Sequence, residues 1–334
     1  MPTPELRILA TRGGLSESEH RVVAAVVDRD GQLIASSGNP EQISWWRSAA
    51  KPFQALPIVQ DGAAERFALS DEELALACAS HSSEPRHLQV VTRLMDRLGI
   101  SDDALSCGPH PPLSPDIAAQ VTREGITMSP RWSNCSGKHA GMIALALHHG
   151  WPIAGYQEAA HPVQQRIRAE VERWTGVPAS QLALAPDGCT VVCFGLPIRA
   201  MAVAYARLGS SGDPAARRIV SAMLSHPYLI AGTGRLCTDL MHSWPGEIIA
   251  KVGALGIYCA VMPRLGLGVA LKVEDGDTRA AGVALCAVIR RVLERAGESG
   301  PAWQAVGSFA RPEIRNSRGV LTGTMEPSGA LRFF

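Results

Sequence analysis

The sequence predicts an α+β domain in which strands from both ends of the chain pair in a mostly antiparallel sheet, with helices packed on both faces. Three observations support this. A β-branched run at 21–28 is followed by Asp30-Gly31, a tight-turn pair, and a second apolar run at 32–36. Strand-like stretches recur near the other end, at 247–252, 255–261, 267–273 and 319–324. Between them the apolar spacing is mostly helical.

Taken in order, Thr11 to His20 reads as a polar strand-to-loop segment. The helix carrying Ser48 is bent or shortened by Pro52 and Pro57. Ser70 and Glu73 form a capping box that opens a helix through Leu74 to Cys78. The next helix runs from about Arg86 to Leu98, with Gly99 as its C-cap. Residues 108–117 are rich in proline and read as a loop, and Ser133 to Ala140 runs into an apolar helix from Gly141 to His148. Pro162 sits in the first turn of an amphipathic helix ending at Thr175-Gly176. A loop over 185–190 precedes a helix from about Pro197 to Leu208, and a last helix spans about Thr278 to Arg295. No repeat, low-complexity tract or linker interrupts the chain, so residues 1–334 read as one catalytic-size domain with a helical insert over roughly 60–210.

Composition narrows the function. The 32 basic and 31 acidic residues leave a formal charge of +1, so no field directs the chain to nucleic acid or an anionic membrane. Apolar runs such as Val22 to Val27 fall far short of the ~20 residues that span a bilayer. The N-terminal stretch lacks the basic-then-apolar order of a secretory signal, which gives the expectation of a cytoplasmic protein. The 8 cysteines are then expected as thiols. Cys78, Cys259 and Cys286 sit in apolar strings and read as core; Cys135 and Cys189 have polar, glycine-bearing neighbours.

Ser48 and Lys51 form a Ser-x-x-Lys pair filled by two alanines. On a helix they share a face, and the amine can reach the hydroxyl, which needs a base to act as a nucleophile. A neighbouring cation such as Arg47, or burial, would make lysine that base. The bland alternative is a helix-start serine followed by a solvated lysine. Ser80 to Glu84, at a helix end, reads either as a site segment or as a capping loop. Cys135, Lys138 and His139 fall at i, i+3 and i+4 of a helix starting at Asn134; Cys135 and His139 with a distant cysteine such as Cys189 could bind zinc, although a lone buried histidine is more often structural. Gly137-Lys138 lacks the second glycine and the Lys-Ser/Thr of a phosphate loop. Asp187-Gly188 reads as a turn, or as an aspartate placed to hold a substrate ammonium. Lys251 lies on a strand and would bring a second amine. Serines, lysines and soft ligands together suit acyl transfer through a covalent ester.

Five ordered segments carry a resemblance: Arg12-Gly13-Gly14 with Glu17, Ser18 and His20; Arg47 to Pro57; Ala79 to Pro85; Asn134 to Gly141; and Pro186 to Cys189. Over about residues 8–330 the chain resembles the asparaginase II family, typified by the inducible, thermolabile Rhizobium enzyme. The resemblance implies hydrolysis of L-asparagine to aspartate and ammonia, a fold similar to serine β-lactamases and glutaminases, and a homodimer without an organic cofactor. It implies two Ser-Lys tandems, Ser48 with Lys51 and Ser80 with Lys251. It implies zinc at Cys135, Lys138 and Cys189, and substrate-binding roles for Arg47, His139 and Asp187. The chain departs from the pattern at Trp45-Trp46, at Thr190 to Cys193 and at Val252, which bears on substrate range. A glutaminase, a penicillin-binding-type acyl hydrolase and a non-catalytic zinc or amino-acid binding protein are the alternatives.

Overall fold

The computed structural model describes residues 5–334. Its strands in chain order are β1 (Leu6–Arg12), β2 (Leu15–Val27), β3 (Leu33–Ser37), β4 (Ile43–Trp45), β5 (Ala183–Pro186), β6 (Val192–Pro197), β7 (Ile249–Val252), β8 (Ile257–Met262), β9 (Leu267–Val273), β10 (Glu313–Arg315), β11 (Leu321–Ser328) and β12 (Arg332–Phe333). Its helices are α1 (Lys51–Gln60), α2 (Ala63–Arg66), α3 (Asp71–Ala77), α4 (Pro85–Leu98), α5 (Pro115–Glu124), α6 (Ser136–His149), α7 (Pro162–Thr175), α8 (Ile198–Ser210), α9 (Pro214–Ser225), α10 (Pro227–Ile230), α11 (Leu236–Ser243), α12 (Thr278–Ala296) and α13 (Gly307–Ala310). Backbone proximity groups these into two compact units. The sheet unit takes the chain up to Ala49, then 195–210 and 239–334; the helical unit takes 50–194 and 211–238. Both units are assembled from separated stretches, which is why no linker shows in the sequence.

In the sheet unit the strands run β10-β11-β1-β2-β9-β8-β7, with β3 beside β2 and β12 beside β3. The pairings are antiparallel, as the sequence predicts. The long β2 is its spine: its first half pairs β1, and its second half lies between β3 and β9, in register Val22↔Val273 to Val27↔Gly268. Residues 22–27 are buried on both faces, so the strand reads as an unbroken apolar run. Helix α8 lies on the face that carries Gly268, whose Cα approaches the backbone of Ala202 and Ala206. Helix α12 packs across β9, β8, β1 and β11.

Several elements differ from the sequence reading. The segment from Thr11 to His20 is a full hairpin: β1 turns at Gly13-Gly14, both at positive φ (55° and 86°), into β2. Leu15 to Glu19 are exposed, so alternation leaves no apolar signal there. Helix α5 begins inside the expected loop 108–117, where Ser114 accepts a hydrogen bond from the Ile117 amide and Pro115 opens the helix. Helix α6 starts at Ser136 rather than Asn134, with Cys135 at its N-cap.

The helical unit bears out the sequence-read boundaries of α3, α4 and α7. Ser70 and Glu73 make the capping box, and Gly99 and Gly176 end their helices in the left-handed region. Arg166 on α7 ties two helices together. Its fork reaches Asp61 Oδ1 at 2.8 Å beyond the end of α1, and Glu170 Oε1 at 2.7 Å one turn along. No helix among the described residues is long and apolar enough to cross a membrane.

Candidate active site

Within the helical unit, three of the motif segments converge because α3 and α6 pack backbone to backbone. A Cβ on Gly137 would lie 2.5 Å from the Leu76 carbonyl oxygen, so only glycine lets the start of α6 meet the end of α3. That contact brings Ser80, two residues past the C-cap of α3, beside Asn134, Cys135 and Lys138.

Lys51, at the first position of α1, is fully buried, which rules out the solvated reading. Its Nζ donates to Ser80 Oγ at 3.1 Å, to the Asn134 carbonyl at 3.4 Å and to the Ala79 carbonyl. Ser80 is itself buried, and its amide donates to the Ile230 carbonyl at 2.9 Å. A buried amine needs such partners. The sequence paired Lys51 only with Ser48; its bond to Ser80, 29 residues on, is long-range and has no local signature.

Cys135, Lys138, His139 and Cys189 also meet here. Lys138 Nζ donates to Cys189 Sγ at 2.9 Å. Cys189 hydrogen-bonds the Cys135 sulfur, and this, with the Lys51 and Lys138 ammoniums nearby and against the cost of burial, holds the Cys135 thiol well below its usual pKa. The Cys189 thiol is pushed up by the same bond and by burial. The two sulfurs therefore titrate as a pair, with one proton far more easily lost than the other. Burial opposes the Lys138 charge, but Cys189, Cys135 and Asp187 outweigh it and raise the pKa of the ammonium. His139 is buried, and burial together with Lys138 and Lys51 keeps it neutral, well below the usual histidine value. Its Nδ1 lies 2.5 Å from the Tyr156 hydroxyl, which in turn accepts from the Ser106 amide at 2.9 Å. Tyr156 was not foreseen; nothing in its neighbourhood along the chain marks it.

Asp187 shapes the Asp-Gly turn: its Oδ1 accepts from the Gly188 amide at 2.8 Å, and the Thr190 amide donates to its carbonyl at 2.9 Å. Thr190 has φ +76°. Ser83 (φ +58°) and Arg47 (φ +53°) share this strained region, so two of the motif segments, and the position just after a third, hold a non-glycine residue in it.

His81 locks two motifs together. Its Nδ1 accepts from the Ser83 amide at 3.2 Å, so the ring proton is on Nε2, which donates to Ser136 Oγ at 2.9 Å. His87 repeats the arrangement, accepting from the Glu84 amide at 3.2 Å and donating to the Tyr228 carbonyl at 3.1 Å. The two rings stack at 5.3 Å, and burial lowers both pKa values, that of His81 the more strongly. The sign of the pH dependence follows. These histidines stay neutral in the folded protein but take protons once unfolded, near pH 6.5. Stability is therefore full above that pH and lost as the pH falls below it. Between pH 6.5 and 5.5 the pair should cost about 1–2 kcal/mol. Denaturant midpoints at the two pH values check this, and a stability that does not change between them would contradict it.

In the sheet unit, Trp46 is fully buried against Tyr205, with ring centroids 6.4 Å apart, and Tyr205 Oη donates to the Ala49 carbonyl at 2.7 Å. These anchors fix the 3₁₀ turn Arg47–Ala50, which carries half-buried Ser48 and runs straight into α1. Lys251 is fully buried on β7, and its Nζ donates to the Val252 carbonyl at 2.9 Å.

Two sulfurs and a lysine nitrogen converge at Cys135, Lys138 and Cys189, and soft thiolates suit zinc in kind. Lys138 is held as an ammonium donating to sulfur, so a metal there would first displace its proton. Among the described residues no three His, Cys, Asp or Glu side chains group as a metal site.

The chain is similar to several solved structures. A β-lactamase from Sulfitobacter sp. EE-36 is 15% identical, with 88% of this chain and 93% of that one covered and a TM-score of 0.38. A class C β-lactamase from Rhodobacter sphaeroides is 15% identical over 87% and 95%, with a TM-score of 0.37. Simvastatin synthase (LovD) from Aspergillus terreus is 13% identical over 92% and 95%, with a TM-score of 0.35. No curated protein sequence matches the chain. The profile of the L-asparaginase II family matches residues 8–327. That match spans every motif described above, and the chain belongs to the L-asparaginase II family, a family of amidohydrolases.

Proposed function

We propose that this amidohydrolase acts on L-asparagine through a seryl-ester intermediate. Ser48 Oγ attacks the side-chain amide carbon while Lys51, as a neutral amine, takes the hydroxyl proton. That proton passes to the departing nitrogen, which leaves as ammonia. Water then attacks the ester, and L-aspartate is released with Ser48 restored. The observation that carries the reading is the fully buried Lys51, three residues after Ser48 and bonded to Ser80 Oγ at 3.1 Å. Ser80 relays protons to and from Lys51, and Lys251 serves the reaction as a second amine. Arg47, His139 and Asp187 bind the substrate, Asp187 through its α-ammonium group.

The deciding experiment is ammonia release from purified protein given L-asparagine, with L-glutamine in parallel. Release from asparagine alone supports the reading, release from glutamine alone moves the activity to a glutaminase, and release from neither by folded protein sinks it. Assembly as a homodimer, acting in the cytoplasm, belongs to the same proposal; light scattering reads the dimer directly.

Zinc at Cys135, Lys138 and Cys189 is part of the proposal, supplying a positive charge that orients the substrate. Because Cys189 and Lys138 both hold their protons tightly, binding must expel them. Zinc affinity, read by competition with a chelator, should therefore rise about tenfold or more per pH unit between pH 6.5 and 8. An affinity independent of pH would remove Lys138 and Cys189 from the ligand set.

A further inference from the structure

The sheet unit contains a cavity of about 290 Å³ that the proposed reaction does not use. Its floor is one face of α12, where Cys286, Arg290 and Glu294 form one ridge, four residues apart, and Ala287 and Arg291 the next. Gly307 and Ala310 of α13 stand across from them, and these small side chains leave the space open. Arg311 closes one wall and Pro327 of β11 another. The volume lies at the small end of the ~300–1,000 Å³ typical of ligand cavities.

The charge of this lining is unbalanced. Three guanidiniums and one carboxylate line it, and a second carboxylate, Glu326, pairs with one of the three. Arg290 lies over the Trp303 ring at 4.5 Å, a contact that leaves its charge in place, and it makes no hydrogen bond or ion pair among the described residues. Arg291 spends one nitrogen on the Gly329 carbonyl at 2.9 Å, while its enclosed Nη1 has no hydrogen-bond partner among the described residues. Burial depresses the Arg291 pKa, with Glu294 acting weakly against that. Arg311 pairs with Glu326 at 2.8 Å from one nitrogen, leaving the rest of its fork free.

The geometry points to a binding site for a small, doubly charged oxyanion in this cavity, gripped by the forks of Arg290 and Arg311. Phosphoryl and carboxylate groups share that chemistry. Inorganic phosphate and succinate, titrated into the full-length protein at constant ionic strength by calorimetry and thermal melting, separate the two sources. A saturable heat and a rise in Tm with either probe, lost in the double variant Arg290→Met and Arg311→Met, support the site and name its class. Glu294→Gln removes the opposing charge and should tighten the same probe by about fivefold. Absence of saturable binding to either probe, binding that survives the arginine double variant, or an unchanged Kd in Glu294→Gln would each overturn the assignment. The glutamate variant keeps the test decisive if the double variant fails to fold.

Discussion

Ser48→Ala should lower ammonia release from L-asparagine by about 10³-fold or more, because the substituted chain has no oxygen at that position to form the ester. Its Tm should stay within a degree or two of the unsubstituted protein. Ser48 sits half-buried on a turn held by Trp46 and Tyr205, neither of which depends on the hydroxyl. Acid-quenched protein exposed to asparagine should carry the mass of an aspartyl group on the peptide containing Ser48, and Ser48→Ala should not. If Ser48→Ala turns over normally while Ser80→Ala loses both turnover and the adduct, the nucleophile is Ser80, and Lys51, already bonded to it, would be its base.

Lys51→Met is the second large effect. Methionine matches the length of the lysine stem but brings no proton acceptor, and kcat should fall by about 10²–10⁴-fold with KM little changed. The change also strands the Ala79 and Asn134 carbonyls, at a cost of about 1–3 kcal/mol. The diagnostic is the pH profile: the acid limb of kcat/KM in the unsubstituted enzyme, set by a base losing its proton, should vanish from the residual activity of the variant. An acid limb that persists unchanged would assign it to another group.

What the sequence made legible follows from how local each signal is. Helix boundaries with chemical caps were readable, as at Ser70, Gly99, Pro162 and Gly176, because a cap satisfies backbone groups within one turn. Strand β8 was readable because burial on both faces left an unbroken apolar run. The hairpin of β1 and β2 was not, because its distal half is exposed and polar. Helix α9 is absent from the sequence reading, although Asp213 caps the Ala215 and Ala216 amides and Pro214 opens the helix, signals of the same local kind. At the site, the residue types were legible and their partners were not. The Lys51–Ser80, His81–Ser136 and His139–Tyr156 bonds join residues 17–55 positions apart, and nothing in a local pattern encodes them. The family resemblance supplied the members of the constellation; the fold supplied the wiring.

The register of the sheet has a consequence for how the protein is made. Val22 of β2 pairs with Val273 of β9, and Arg7 of β1 pairs with Ser328 of β11. A ribosome adding ~5–20 residues per second needs roughly 10–50 s to travel from Val22 to Val273. Throughout that interval β2, whose second half is an unbroken apolar run, has its hairpin partners β1 and β3 but no neighbour on its other edge. Such an open edge is where a nascent chain pairs with the wrong strand. Yield should therefore respond to translation speed and to holdase chaperones more than the stability of the finished protein would suggest.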